Sequence, residues 1–95
     1  MIPASEAPKW LWLHEEDNVA MALSDFDAGS TVTINETSIV LADVVPYGHK
    51  FAVKRIAADQ PVIKFAETIG AAKRDIDIGE HVHVHNIRSL RGGAV

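Results

Sequence analysis

Three histidines alternate with two valines in the segment His81-Val82-His83-Val84-His85-Asn86. Side chains of a strand point alternately to its two faces, so a strand here would project all three imidazoles from one face. Neighbouring imidazoles would then start about 6.5 Å apart, close enough for two of them to bind one divalent ion, whereas His81 and His85 lie too far apart. Neutral imidazole suits zinc, iron, nickel or copper. The alternative is a polar strand face with hydrogen-bonded histidines.

Two further segments contain residues suited to binding an acid. The turn Pro46-Tyr47-Gly48-His49-Lys50 delivers a histidine and a lysine into the start of a predicted strand. Lysine can hold a carboxylate as a point charge, and histidine can transfer a proton near neutral pH. Lys64 interrupts an apolar run, so its side chain must either lie on the solvent-exposed face of the strand or bind an anion. The alternative in both segments is an ordinary solvated side chain.

The charge is distributed unevenly over a chain whose formal net charge is −4. Residues 1–49 hold one basic and eight acidic side chains, a net −7, whereas residues 50–95 hold eight basic and five acidic ones, a net +3. An anionic small molecule would therefore bind more easily to residues 50–95 than to residues 1–49. The negative total argues against a general nucleic-acid binder. Ordinary solvated charge remains the alternative.

Length and composition restrict the class of protein. A chain of 95 residues fits a single domain, and the absence of cysteine excludes disulfides and thiolate metal sites. Residues 1–7 lack the cationic lead and apolar run of a signal peptide, and no segment reaches the ~20 apolar residues of a membrane span. We therefore expect a cytoplasmic protein without a membrane partner.

The elements that must position these residues are short strands. Turn signals recur about every ten residues between short β-branched runs, which predicts a mostly β domain with strands at 31–34, 38–41, 51–56 and 62–65. Residues 19–26 match a helical template as well, and we favour a strand there. In the strand at 51–56, Phe51 is expected to face the core and Lys50 the cationic surface.

The predicted domain covers residues 10–88. Residues 1–9 are expected to form a flexible lead and residues 89–95 a flexible tail. No internal repeat is visible in the sequence.

Three motifs occur in order along the chain: "LHEEDNVAMAL", "DVVPYGHKFAVKRIAADQPVIKFAETIG" and "IGEHVHVHNIRSLRG". Together they resemble the small SAF-type domain of the altronate and galactarate dehydratase family, also found as the small subunit of sulfolactate sulfo-lyase. The resemblance covers residues 10–92. It implies a small β-clip (SAF-like) fold. One departure is Ala66, where family members commonly have glycine, and it brings a glycine-dependent turn into question.

The resemblance also implies a function. The chain would be the small accessory subunit of a sugar-acid hydro-lyase, in a split form that is inactive without a large catalytic dehydratase subunit. It would add residues to a site for an acidic small molecule and use a divalent metal such as iron. A homo-oligomer is compatible with this organisation. The alternative is a non-catalytic module that binds an acidic sugar or a partner protein.

The resemblance implies the following site residues. The predicted catalytic residues are His49, His83 and His85; the predicted substrate-binding residues are Lys50, Lys64 and Asn86; and the predicted metal ligands are His83 and His85.

Overall fold

The part of the chain that the structure describes contains nine short strands, and each pairs with its neighbours in antiparallel orientation. The structure is a computed structural model, and it describes residues 8–89. Within this range the strands are β1 (Trp10–Leu11), β2 (Val19–Ala22), β3 (Thr31–Ile34), β4 (Thr37–Val40), β5 (Lys50–Ala52), β6 (Pro61–Lys64), β7 (Glu67–Ala72), β8 (His81–Val82) and β9 (Ile87–Ser89). The prediction of a mostly β domain is confirmed.

The strands form three sheets. The largest has the order β1-β2-β5-β8, a second has the order β6-β7-β9, and β3 and β4 form a two-stranded hairpin. All neighbouring strands are antiparallel. Between residues 8 and 89 we find no helix long and apolar enough to span a bilayer.

Some predicted elements agree with the structure and others do not. The strand favoured at the start of residues 19–26 is β2, and the strand predicted at 31–34 is β3. The strand predicted at 51–56 ends at Ala52, because the chain then bends and Ile56 instead forms an isolated bridge with Ile76. Residues 1–7 and 90–95 of the expected lead and tail lie outside the described residues, so those boundaries stay predictions.

The backbone is built from two similar halves, which the sequence alone does not reveal. Each half consists of a tight turn, a two-stranded hairpin and a second tight turn. The four turns carry a residue with positive φ at the same place, namely Gly29, Gly48, Asp59 and Gly79. Gly29 and Asp59 each donate a backbone hydrogen bond to a residue at the far end of the hairpin that follows them, while Gly48 and Gly79 donate to an earlier strand. This repeated hydrogen bonding is the local reason for the duplicated architecture.

Two apolar cores lie on the two sides of β5. Phe51 packs with Val32 and Leu41 in one core, whereas its neighbour Ala52 packs with Ile76 in the other. Successive residues of a strand point to opposite faces, so a strand covered on both faces has no wet side. The expectation that Lys50 lies on a cationic surface is therefore wrong, since its side chain is buried together with the rest of β5.

The fully buried carboxylate of Asp17 joins the first part of the chain to the β6–β7 turn. Its Oδ1 accepts a hydrogen bond of 2.7 Å from the N–H of Ala66, and its Oδ2 accepts weaker ones from Leu13 and His14 at 3.4 and 3.3 Å. Phe65 and Ala66 both have positive φ, 53° and 64°, so this hairpin turn forms without glycine. The Asp17 contact stabilises a conformation that alanine disfavours.

The buried state of Asp17 also sets the direction of its pKa. Burial by itself raises the pKa of the carboxyl group, but the backbone N–H groups of Ala66, His14, Phe65 and Leu13 lower it, and the net pKa is below the ordinary value. Hydrogen bonds to the charged form therefore outweigh desolvation here. The folded protein consequently prefers Asp17 ionised.

Replacing Asp17 with asparagine would place an amide N–H₂ group where a carboxylate oxygen accepts hydrogen bonds. We expect the free energy of unfolding to fall by about 1–3 kcal/mol at neutral pH. Because the folded pKa is depressed, the stabilisation is complete above the unfolded value of about 4 and is lost as the pH falls through the folded value. Urea unfolding from neutral pH to about pH 3 should show the difference between wild type and D17N shrinking on acidification. A difference that does not change with pH would contradict a role for the ionised carboxylate.

Gly29 and Gly79 provide a matched pair of turn glycines, with φ of 89° and 91°. A Cβ added at Gly29 meets no atom within 4 Å, whereas one added at Gly79 would collide with the carbonyl oxygen of Val40. We expect G29A to lower the free energy of unfolding by about 1–2 kcal/mol, because alanine disfavours the positive φ at this position. G79A should cost about 1–3 kcal/mol more because of the collision. Equal losses of unfolding free energy in thermal or urea unfolding would show that the end of β4 at Val40 moves aside freely.

Candidate functional site

Strands β5 and β8 bring three histidines to one face of the largest sheet. Their antiparallel register pairs Lys50 with Val82 and Phe51 with His81. Continuing this register by one residue places His83 opposite His49, with His81 on the diagonal of the same face. All three imidazoles are partly buried. The group therefore combines two alternate residues of one segment with one residue of its neighbour.

The three imidazoles are in contact. Nδ1 of His49 lies 2.8 Å from Nε2 of His81, and the two rings are inclined by only 17°. His83 stacks on His49 with 4.1 Å between the ring centroids. One candidate ligand nitrogen from each of the three residues lies within 4.8 Å of the other two. A hydrogen bond between two ring nitrogens needs one N–H and one lone pair, so at least one ring of the bonded pair must be neutral.

His85 lies outside this group of three ligand atoms. The strand expected over residues 81–86 stops at Val82, because the chain turns back and His83 O accepts hydrogen bonds from the N–H groups of Asn86 and Ile87. His85 is exposed, and its ring lies 5.1 Å from that of His81 at a tilt of 34°. The structure therefore groups His83 with His49 and His81, whereas the resemblance implies the pair His83 and His85 as metal ligands. Only the pairing of β8 with β5 distinguishes the two arrangements.

Asn86 is buried beneath the histidine segment. Its Oδ1 accepts a hydrogen bond of 2.9 Å from the N–H of His83, and its Nδ2 donates one of 2.8 Å to the carbonyl oxygen of His81. Both ends of the amide thus hold the backbone of two of the clustered histidines. The substrate contact predicted for Asn86 stays a prediction, while the bonds of this side chain position His81 and His83.

One lysine, Lys50, lies in the electrostatic surroundings of His83, and a second lysine, Lys64, acts on Lys50. Burial, and then the positive charge of Lys64, lowers the pKa of Lys50. The ammonium group of Lys64 is partly buried and lies 5.2 Å from the centroid of the Phe65 ring. Burial also lowers the pKa of His83, and the charges of His49, Lys50 and His85 lower it further. Lys50 therefore links the second lysine to the histidine group.

The pKa of His81 is lowered as well. Burial is the main cause, followed by the charges of His49, His85 and His83, and the carboxylate of Asp43 opposes them. Asp43 also accepts a hydrogen bond of 3.0 Å from the backbone N–H of His81. Near neutral pH the arrangement therefore favours neutral imidazoles, which can accept a proton or donate a lone pair to a cation.

A pocket of about 180 Å³ lies elsewhere on the domain. Its lining residues are Trp12, Ile34, Asn35, Thr37, Ile39, Val53 and Lys54. None of them belongs to the histidine group, and Lys54 is the only ionisable side chain among them.

The sequence matches the family model described as the altronate/galactarate dehydratase SAF domain over residues 8–90. The chain belongs to this family. Two altronate dehydratases resemble this SAF domain: that of Bacillus subtilis (strain 168) is 39% identical over 77 residues, 81% of the chain, and that of Escherichia coli (strain K12) is 42% identical over 81 residues, 85% of the chain. Each match covers 16% of the dehydratase, so the SAF domain spans about one sixth of their length.

A third relative is of a different size. The (2R)-sulfolactate sulfo-lyase subunit alpha of Chromohalobacter salexigens is 47% identical to the SAF domain over 49 residues. These residues make up 52% of either chain, so the two chains have similar lengths. The family thus contains SAF domains inside long enzymes and in a short subunit.

Asn86 can be tested as the residue that positions the histidine segment. In N86A the N–H of His83 and the carbonyl of His81 lose their partner in a buried place, so we expect a loss of about 1–3 kcal/mol in unfolding free energy. The imidazole resonances of His81 and His83 should shift in an NMR spectrum, while that of His14 should not. Unchanged stability and unchanged imidazole resonances would mean that the turn holds its shape without the amide.

Proposed function

We propose that this SAF domain is the small component of a hydro-lyase that removes water from a sugar acid of the altronate or galactarate type. It would contribute substrate-binding and metal-binding residues to a site that a large catalytic region completes. The observation that carries the proposal is the meeting of three imidazoles near the buried Lys50, whose pKa the charge of Lys64 lowers, in a chain whose net charge is negative. We expect this component to work in the cytoplasm.

The chemistry of such a reaction explains why these residue types are needed. Loss of water from a hydroxy acid begins with a weakly acidic proton next to a carboxylate. A base must remove this proton, positive charge must stabilise the electron-rich intermediate, and an acid must protonate the leaving hydroxyl group. Imidazoles and ammonium groups can supply all three functions near neutral pH.

The residues of the domain divide into two roles. Lys50 and Lys64 supply positive charge for the substrate carboxylate. Burial lowers the pKa of Lys50, and the carboxylate of a bound substrate would favour its charged form. The hydrogen-bonded pair His49 and His81 can hold a proton on one ring and a free lone pair on the other, which suits a group that moves protons. His83 and His85 extend the imidazole surface on either side of His81.

A divalent metal, in our expectation iron, would stabilise negative charge on the substrate when bound at this site. Neutral imidazole nitrogens are suitable ligands for it. The domain's own contribution is to hold these nitrogens and to keep Asn86 beneath them, so that the segment does not move.

The need for a large catalytic region follows from size and exposure. The histidines lie at the end of a sheet and are only partly buried, so the described residues do not enclose a substrate on all sides. Enzymes usually surround most of a small ligand in a cleft. The dehydratases that match the chain are about six times longer, which is consistent with a second region covering the site.

The test is to produce the full chain with and without a dehydratase catalytic region and to assay a panel of sugar acids and sulfolactate. We expect no turnover by the chain alone and dehydration of one sugar acid by the pair. K64M should raise KM by about 10- to 100-fold, because it removes a charged contact to the carboxylate. K54M is the matched control, since Lys54 is exposed and lies outside the histidine group.

The rival proposal is a module that binds an acidic sugar or a partner without taking part in the reaction. It would be favoured if the catalytic region alone turned over substrate as fast as the pair. A loss of sulfite from sulfolactate, in place of water from a sugar acid, would move the chain to the sulfo-lyase branch.

A further inference from the structure

We propose that His49, His81 and His83 bind one divalent transition-metal ion of the borderline class, such as Fe²⁺ or Zn²⁺, and that the SAF domain holds this ion without its catalytic region. The inference concerns the same site as the proposed function, but it needs neither a substrate nor a partner. It differs from the pair His83 and His85 that the family resemblance implies.

Hydrogen bonds fix the backbone at each of the three histidines. The carbonyl oxygen of His49 accepts a hydrogen bond of 2.8 Å from the N–H of Ala22. The backbone N–H of His49 donates one of 3.0 Å to the carbonyl oxygen of Pro46. His81 is held by Asp43 and Asn86, and His83 by Asn86. Binding an ion would therefore require only rotation of side chains, so little backbone order has to be gained.

The distances lie within the range that such rotations can close. Nitrogens bound to one zinc ion at about 2.0–2.1 Å lie roughly 3 Å from one another. The ring nitrogens of His49 and His81 are 2.8 Å apart in a hydrogen bond, and the candidate nitrogen of His83 lies within 4.8 Å of both. Binding an ion to both nitrogens would break this hydrogen bond and move its proton to the other ring nitrogen or to solvent. The His83 ring stacks on His49 with 4.1 Å between the ring centroids, so a change of its side-chain torsions is the movement that would complete the site.

One nitrogen of the group has no partner. Nδ1 of His83 is buried and makes no hydrogen bond within the part of the chain that the structure describes. Native proteins leave few buried polar atoms unsatisfied, and a bound ion can satisfy such an atom. An unsatisfied buried polar atom costs about 1–3 kcal/mol, which a ligand in the cluster can offset.

The donor set decides the class of ion. Three imidazole nitrogens suit Zn²⁺ and Fe²⁺, whereas Mg²⁺ and Ca²⁺ require oxygen ligands. The nearby carboxylate of Asp43 is already bonded to the backbone of His81. Lys50 near His83 opposes any cation by its charge, so a cation must form coordinate bonds to be held here. Three protein ligands also leave coordination positions open, as in catalytic zinc sites.

The test uses the complete chain without an affinity tag, stripped with a chelator. Titration with Zn²⁺ is followed by calorimetry, and titration with Co²⁺ by its visible absorption. We expect one ion per chain, an absorption typical of nitrogen-bound Co²⁺ and no binding of Mg²⁺. Loss of a residue that only supports a metal ligand typically lowers metal affinity by about 10- to 100-fold. H81A and H83A each remove a ligand, so they should lower the affinity for Zn²⁺ by more than this.

Two histidine variants serve as matched controls. H85A removes the neighbouring imidazole outside the group, and H14A removes an exposed one on another segment; both should leave the affinity unchanged. Circular dichroism should show that all four variants keep the fold. The inference is overturned if the chain takes up no ion, or if H85A weakens binding as much as H83A. Since no turnover is measured, either result leaves the proposed hydro-lyase function standing, and a failed assay of that function leaves the metal site standing.

Discussion

The pairing of β5 on both edges, together with the burial of both its faces, is the constraint on which the rest of this domain depends. β5 bonds to β2 through three residue pairs and to β8 through two, while Phe51 and Ala52 enter different cores. A strand only three residues long thereby connects the two similar halves. Any shift of its register by one residue would exchange the residues that enter the two cores and would move His49 away from His81 and His83.

The same constraint creates the chemical character of the site. Lys50 lies in β5 and has no wet face to reach, so its ammonium group is held in a place that disfavours charge. His49 precedes β5, and the pairing of β5 with β8 places it beside His81 in β8 and His83 directly after it. Burial and then the charges of neighbouring groups lower the pKa of His81 and of His83, which keeps their lone pairs available near neutral pH. Packing and reactivity are therefore set by one strand.

Turn chemistry shows how a family feature can be replaced without loss of shape. Three of the four equivalent turns use glycine for the left-handed residue, and the fourth uses Asp59. The β6–β7 turn uses Phe65 and Ala66, and the N–H of Ala66 is bonded to the buried Asp17 carboxylate. The question raised by the absence of glycine at Ala66 is thus answered by a side chain almost fifty residues earlier. A contact of this kind lies outside what local turn preferences describe.

Local patterns in the sequence determined the class of fold and several of its strands. The β-branched runs and regular turn signals were enough for the mostly β architecture and for β2 and β3, because these patterns reflect short-range backbone preferences and a period of two. They also located the histidine segment and both lysines. Tertiary structure decided which histidines meet, since His49 and His81 are 32 positions apart and their contact depends on the register of β5 and β8. It also decided that Lys50 is buried and that His85 turns away, because both follow from what covers a strand and where it ends, which no local pattern contains.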